Sequence, residues 1–196
     1  MDQGDLDLDP LAQFGRWYAQ ARAASGFEAD AVAVATATAD GRPSARMVLL
    51  KGFDDAGLVF FTNYGSRKGS ELEANPRAAL LFHWPELGRQ VRVEGPVEHV
   101  SRAESEAYAH NRPRQSQLSA LASPQSRPVT SREWLEQRVK ELEEQFPDEI
   151  PLRDDWGGYR VRPEAWEFWQ HRDNRLHDRF VYLPEAAGWR IERLGP

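Results

Sequence analysis

The chain has no cysteine among its 196 residues, which removes disulfides, thiolate catalysis and cysteine-ligated metals at once and fits a reducing compartment. No apolar run approaches the roughly 20 residues that a membrane-spanning helix needs. Positive charge is not in surplus. With a net charge of -6, nonspecific binding to nucleic acid, which draws on excess Lys and Arg, is not expected. The opening residues MDQGDLDLDP are acidic where a secretion signal is basic and then apolar, so a cytoplasmic location is expected. The histidines, His83, His99, His110, His171 and His177, form no i,i+4 pair, so no metal site is expected. A serine nucleophile elbow, a glycine-rich dinucleotide fingerprint, a paired-carboxylate signature, internal repeats and low-complexity segments are also absent.

What is present reads as one domain over 1–196, with 1–8 as a flexible leading segment. Hydrophobic residues are 40% and charged residues 29% of the chain, an ordinary globular balance. Leu11, Phe14, Trp17, Tyr18 and Ala21 recur at helical spacing behind a candidate Asp9 cap, predicting a helix over Pro10 to Ala24. The period then changes to two. Ala31 to Ala39, the Asp40-Gly41 turn, Ser44 to Phe53, the turn at 54–57 and Leu58 to Asn63 predict three antiparallel strands. A serine-capped helix is predicted from Ser66 to Asn75, before Pro76. Strands follow over Ala78 to Trp84 and Gln90 to Val100, the second bent at Gly95-Pro96. Capping boxes at Ser101/Glu104 and Thr130/Glu133 predict helices reaching about Asn111 and Phe146. Gly158 to Val161, Arg179 to Leu183 and Trp189 to Leu194 read as closing strands. The fold class is mainly β, an antiparallel barrel or sandwich with peripheral helices.

Basic residues cluster locally, at 42–51, 67–68, 89–92, 112–114 and 172–179. On an acidic protein, such clusters suggest small anions held in pockets. Arg46 and Lys51 bracket an apolar strand five residues apart and so face opposite sides, one for each of two neighbouring anions; charged strand ends give the same pattern. Phe61 and Thr62 lead into a glycine-containing loop that delivers Ser66, Arg67 and Lys68 to a helix N-terminus, where cations oppose the helix dipole unless an anion joins them. Tyr108, Arg112 and Ser116 stand at steps of four, with Pro113 placing the serine in the following turn. Arg175, His177 and Arg179 alternate, so an extended segment there points all three to one face, beside Trp166 and Trp169. That face suits an aromatic anion, and an edge strand with solvated charges would show the same spacing.

Taken together, the segments resemble the pyridoxamine 5'-phosphate oxidase family. The resemblance runs from about Asp9 to Pro196. It is carried by RMVLLK at 46–51, FFTNYGSRK at 60–68, RQVRVEG at 89–95, the Tyr108, Arg112, Ser116 cluster, SPQS at 123–126, WGGYRV at 156–161, EFWQ at 167–170 and RLHDRF at 175–180. It implies an FMN-binding split β-barrel, homodimeric, with FMN at the subunit interface. Matched motif by motif, FMN contacts fall to Arg46, Met47, Val48, Leu49, Leu50, Lys51, Phe61, Thr62, Arg67, Lys68, Gln90, Gln125, Ser126, Trp169 and Arg179. Substrate phosphate falls to Lys51, Tyr108, Arg112 and Ser116, and Arg175 and His177 lie over the pyridine ring as the catalytic pair. One departure bears on lid closure and substrate affinity: a basic N-terminal arm in relatives is replaced here by acidic MDQGDLDL.

The implied reaction oxidises pyridoxamine or pyridoxine 5'-phosphate at C4' to pyridoxal 5'-phosphate, with flavin N5 taking the hydride and dioxygen leaving as peroxide. The rivals are a phenazine-biosynthesis flavin oxidase of the same fold, and a noncatalytic flavin or pyridoxal-phosphate binding protein. The intact phosphate cluster weighs against the first. Arg175 and His177 together weigh against the second.

Overall fold

A computed structural model describes residues 1–196. Helix α1 (Pro10–Ser25) is capped by the Asp9 carboxylate, which accepts from the backbone N–H of Leu11 and Ala12. It buries Phe14, Trp17 and Ala21, the stripe expected from their spacing. Strands β1 (Ala31–Ala37) and β2 (Pro43–Leu49) form a hairpin around Asp40-Gly41, where Gly41 adopts φ 85°. The single returning strand expected to reach Phe53 is instead two, because after Leu49 the chain turns into a short β3 (Gly52–Asp54) that pairs with β4 (Gly57–Asn63). Helix α2 (Arg67–Ala74) follows, with Ser66 as its cap, and leads to β5 (Arg77–Trp84) and β6 (Arg89–His99).

The second half carries helices α3 (Arg102–His110), α4 (Arg114–Ala122) and α5 (Arg132–Gln145), then strands β7 (Trp156–Val161), β8 (Ala165–Gln170), β9 (Asp178–Glu185) and β10 (Gly188–Arg193). All strand pairs are antiparallel, and the order β10-β9-β8-β6-β5-β1-β2 is joined through β7 to β4 and β3. Strand β6 is where the sheet curls. Up to Glu94 it pairs with β8, and from Val97 it pairs with β7. It remains one strand through the expected bend, and a Cβ on Gly95 would sit 1.8 Å from the Arg162 carbonyl oxygen. Glycine is what permits that approach. The result is a curled antiparallel half-barrel, as the fold class expected, whose inner face packs on α1. Phe14, Phe82, Trp84, Trp166, Phe168, Phe180 and Tyr182 are each at most 1% exposed, and burial of each such ring contributes roughly 1.5–3 kcal/mol.

Some expectations change. The helix predicted behind Thr130 is capped by Ser131, whose hydroxyl accepts from the Trp134 N–H. Helix α4 was not predicted, because Pro113 reads as a breaker; it occupies the cap position instead, with φ -52°, where it needs no N–H of its own. Residues 1–8, expected to be a flexible segment, lie along the sheet: Leu6 is buried, the Asp7 carbonyl accepts from the Tyr182 hydroxyl at 2.8 Å, and Arg193 pairs with Asp2 at 2.9 Å. No helix is long and apolar enough to cross a membrane.

Candidate active site

A cavity of about 630 Å³ opens between β2, β4 and the α3–α4 corner. Its walls include Met47, Val48 and Leu49 from β2, Lys51 just beyond it, Phe61 and Thr62 from β4, Lys68 from α2, Tyr108 and Arg112 from α3 and its end, Ser116 from α4, and Gln125. Three cations and no carboxylate line it. Most of the residues expected to hold cofactor and substrate phosphate are therefore brought together by one chain.

The first cationic group is Lys68. It is 7% exposed, and its Nζ donates to Thr62 Oγ1 at 2.9 Å, Gln125 Oε1 at 2.9 Å and Ser66 Oγ at 3.3 Å. All three acceptors are neutral. Burial, reinforced by repulsion from Arg46, pulls its pKa down to about 8. Burying a charge without a counter-ion is costly, and an anion bound beside it would remove that cost.

The second group is built on stacked aromatic rings. Tyr108 lies on Phe61 with centroids 3.9 Å apart, and Trp156 is parallel to Tyr108 within 1°. The Arg112 guanidinium sits over Trp156 at 5.1 Å and donates to the Ser116 carbonyl at 2.9 Å. Burial lowers the Arg112 pKa and raises that of Tyr108, each partly offset by the other. Ser116, expected in a turn, is in the first turn of α4. Lys51 is exposed, with its ammonium 5.5 Å from the Phe27 ring. Trp156 was not anticipated as a site residue, although it opens the WGGYRV segment; the cavity is further lined by Asn63, Gln115, Ser119 and Ser123.

Arg46 and Arg67 lie outside the cavity wall but beside its Lys68 end, both bonded to the buried Glu71. Leu50 is core, 3% exposed. Ser126 is exposed and holds φ 67°.

The remaining expected residues form a separate face. Gln90 is paired in register with Trp169, and Trp169 with Arg179, so their side chains share one side of β6, β8 and β9. Arg179 is held by a two-pronged ion pair to Glu167, at 2.8 and 3.0 Å. The extended Arg175–His177–Arg179 segment is corrected: Asp173–Arg175 is a 3-10 turn, with Asn174 at φ 56° and Arg175 at φ 62°, and the strand starts only at Asp178. Arg175 is exposed at that turn. The His177 ring packs on Trp169 at 4.5 Å, and its Nδ1 accepts from the Arg172 backbone N–H at 3.1 Å, which leaves Nε2 to carry the proton of the neutral ring. In a single chain none of these five residues, Gln90, Trp169, Arg175, His177 or Arg179, lines the cavity.

A family profile described as pyridoxamine 5'-phosphate oxidase matches residues 13–146, and one described as the pyridoxine 5'-phosphate oxidase C-terminal dimerisation region matches 156–196. A pyridoxine/pyridoxamine 5'-phosphate oxidase of Rubrobacter xylanophilus is 60% identical over 191 residues, covering 97% of this chain and 88% of that one. The enzyme of the same name from Gluconobacter oxydans is 54% identical over 193 residues, covering 98% and 96%. Among solved structures, PhzG from Burkholderia lata, in complex with tetrahydrophenazine-1-carboxylic acid, superposes with TM-score 0.92 at 33% identity, covering 98% of this chain and 95% of that one. A pyridoxamine 5'-phosphate oxidase-related, FMN-binding protein from Nostoc punctiforme superposes with TM-score 0.73 at 18% identity, covering 93% and 95%, and shares the fold. With both profiles matched and relatives above half identity across the whole chain, the protein belongs to the pyridoxine/pyridoxamine 5'-phosphate oxidase family.

Proposed function

We infer that the protein is a homodimeric, cytoplasmic, FMN-dependent oxidase of pyridoxamine and pyridoxine 5'-phosphates. The observation that carries this reading is a single cavity with two cationic groups and no acid: Lys68 with Thr62 and Gln125, and Arg112 with Lys51, Tyr108 and Ser116. One suits the phosphate of the flavin and the other the phosphate of the substrate. The donors fit FMN on physical grounds, since the buried, unneutralised Lys68 lacks the dianion that a phosphate monoester supplies.

FMN, when bound, would supply the hydride acceptor for oxidation at C4', with dioxygen reduced to hydrogen peroxide; the alcohol gives the aldehyde directly, and the amine gives an imine that water hydrolyses to the aldehyde and ammonia. The protein's part is binding and alignment. Arg112 and Lys51 anchor the substrate phosphate, and the Tyr108–Phe61 stack fixes the wall against which the substrate rests. Because Gln90, Trp169, Arg175, His177 and Arg179 stand apart from their own chain's cavity, this reading has a second copy lay that face across it. The dimerisation region matched over 156–196 supports that arrangement. Arg175 then clamps the substrate ring, and His177 Nε2–H serves as a donor for ring orientation or proton transfer. Holding the substrate in one orientation would be a proximity effect worth several kcal/mol.

A phenazine-type substrate is the second reading, favoured by the TM-score of 0.92 to PhzG. The test is direct: purify the protein, record its visible spectrum for flavin, and follow peroxide with pyridoxamine 5'-phosphate and with tetrahydrophenazine-1-carboxylic acid. Turnover of the first substrate with flavin bound supports the oxidase. Turnover of only the second supports the rival, and bound flavin without turnover of either supports a binding protein.

A further inference from the structure

Glu71 is a buried carboxylate at the centre of a polar cage that spans three elements. Its side chain is 4% exposed. Oε2 accepts from the hydroxyls of Thr36 on β1 and Ser44 on β2, at 2.5 Å each, and from Arg46 at 3.3 Å, while Oε1 accepts from Arg67 Nε at 2.8 Å. Burial alone would push the carboxyl pKa up, but the bonds from Ser44, Thr36, Arg67 and Arg46 outweigh it and bring it down to about 2. The charge is thus permanent at any physiological pH.

The two hydroxyls do double duty. Each donates to Glu71 and accepts from Arg46, Thr36 from one terminal nitrogen at 2.6 Å and Ser44 from the other. A further bond from Arg46 to the Val34 carbonyl at 3.1 Å completes the clamp. The guanidinium of Arg46 is therefore set in one orientation, with Nε unused. Arg67 spends only Nε on Glu71, and its two terminal nitrogens have no protein partner. Lys68 is the next residue. Three cations against one carboxylate leave two positive charges at this end of the site, the charge that a phosphate monoester dianion neutralises.

We propose that Glu71 is a positioning residue for the flavin phosphate: it presents Arg46 and Arg67 to the phosphate in a fixed geometry while cancelling the charge in excess of two. The inference rests on the reading that FMN is the cofactor. The effect falls on phosphate recognition in particular, since the cage consists of hydroxyls, guanidinium groups and one carboxylate, with no aromatic or apolar side chain.

The test compares FMN with riboflavin, which has no phosphate, by fluorescence titration of flavin-stripped full-length protein. Glu71→Ala should weaken FMN at least tenfold and leave riboflavin within twofold, and Glu71→Gln, which keeps one acceptor oxygen for Thr36, Ser44 and Arg46 but turns an amide N–H towards Arg67, should weaken FMN about threefold with riboflavin unchanged. Equal weakening of both flavins by Glu71→Ala would assign Glu71 to general fold maintenance and overturn the proposal. So would unchanged FMN affinity, or a Gln variant as weak as the Ala variant. If the Ala variant does not fold, the double variant Thr36→Val/Ser44→Ala tests the same clamp: about threefold weaker FMN with riboflavin unchanged supports it, and any other pattern overturns it. A wild-type protein that binds FMN no better than riboflavin would instead overturn the cofactor reading itself.

Discussion

Replacing Lys68 by methionine isolates the electrostatic claim made for the cavity. The side chain is 7% exposed, bonded only to neutral oxygens and held at a pKa of about 8 by burial and by Arg46. Methionine keeps most of the stem volume and removes the charge, so the apoprotein should lose little stability. Binding should respond quite differently. A charge-assisted bond to phosphate contributes about 1.5–3 kcal/mol, which is roughly 10- to 150-fold in the FMN dissociation constant. The sign of the pH dependence follows from the same group. Only the protonated amine neutralises phosphate, and bound phosphate raises its pKa, so wild-type FMN affinity should decline as pH rises through about 8. The variant should lack that decline. Fluorescence titrations of FMN from pH 6.5 to 9.5, with thermal melts of the apoproteins, measure both. Wild-type affinity in Lys68→Met, or an unchanged alkaline decline in it, would refute the assignment of Lys68 to phosphate.

Three other outcomes follow from the same geometry. Lys51→Ala and Arg112→Ala should each raise the KM for phosphorylated substrate by about 10-fold or more, on the same bond energy, while flavin absorbance per protomer stays near wild type; colourless variants with intact KM would reverse the assignment of the two phosphates. Arg175→Lys keeps charge but not the planar fork, so kcat/KM should fall at least about tenfold, or ~1.4 kcal/mol, with FMN still bound; near wild-type kinetics would reduce Arg175 to a bare charge. Light scattering should find a dimer, and dilution to monomer should release FMN; a flavin-loaded monomer would contradict the shared site.

The parts of the fold that were legible from sequence are those in which local chemistry and burial agree. Helix α1 shows a cap at Asp9 and a stripe through Phe14, Trp17 and Ala21, and both survive in the structure. Strand β8 went unrecognised as a strand, although buried Trp166 and Phe168 alternate with the half-buried Ala165, Glu167 and Trp169; it is six residues long and follows directly on the β7 turn. Helix α4 was hidden because Pro113 marks a break and a helix start equally well, and only Leu118 and Ala122 of its nine residues are buried. Spacing of two at Arg175, His177 and Arg179 implied a strand, yet left-handed Asn174 and Arg175 place a turn there, and no period reports a positive φ at a non-glycine residue. Cavity residues such as Phe61, Thr62, Lys68 and Arg112 were recognisable because their motifs are local, whereas Trp156 and Asn63 were not. The Glu71 cage was not, since its four donors come from β1, β2 and α2 and meet only in the folded sheet.

The central claim is that one cavity receives two phosphates, one on the flavin and one on the substrate. Steady-state peroxide and aldehyde production by the flavin-loaded dimer, with pyridoxamine 5'-phosphate and with pyridoxamine compared side by side, tests it most directly. The account predicts one peroxide per aldehyde from the phosphorylated amine. Loss of the contacts from Lys51 and Arg112 should lower kcat/KM for the unphosphorylated one by at least about 100-fold, or ~3 kcal/mol. Equal turnover of the two amines, or none of either by a protein that carries flavin, would contradict it.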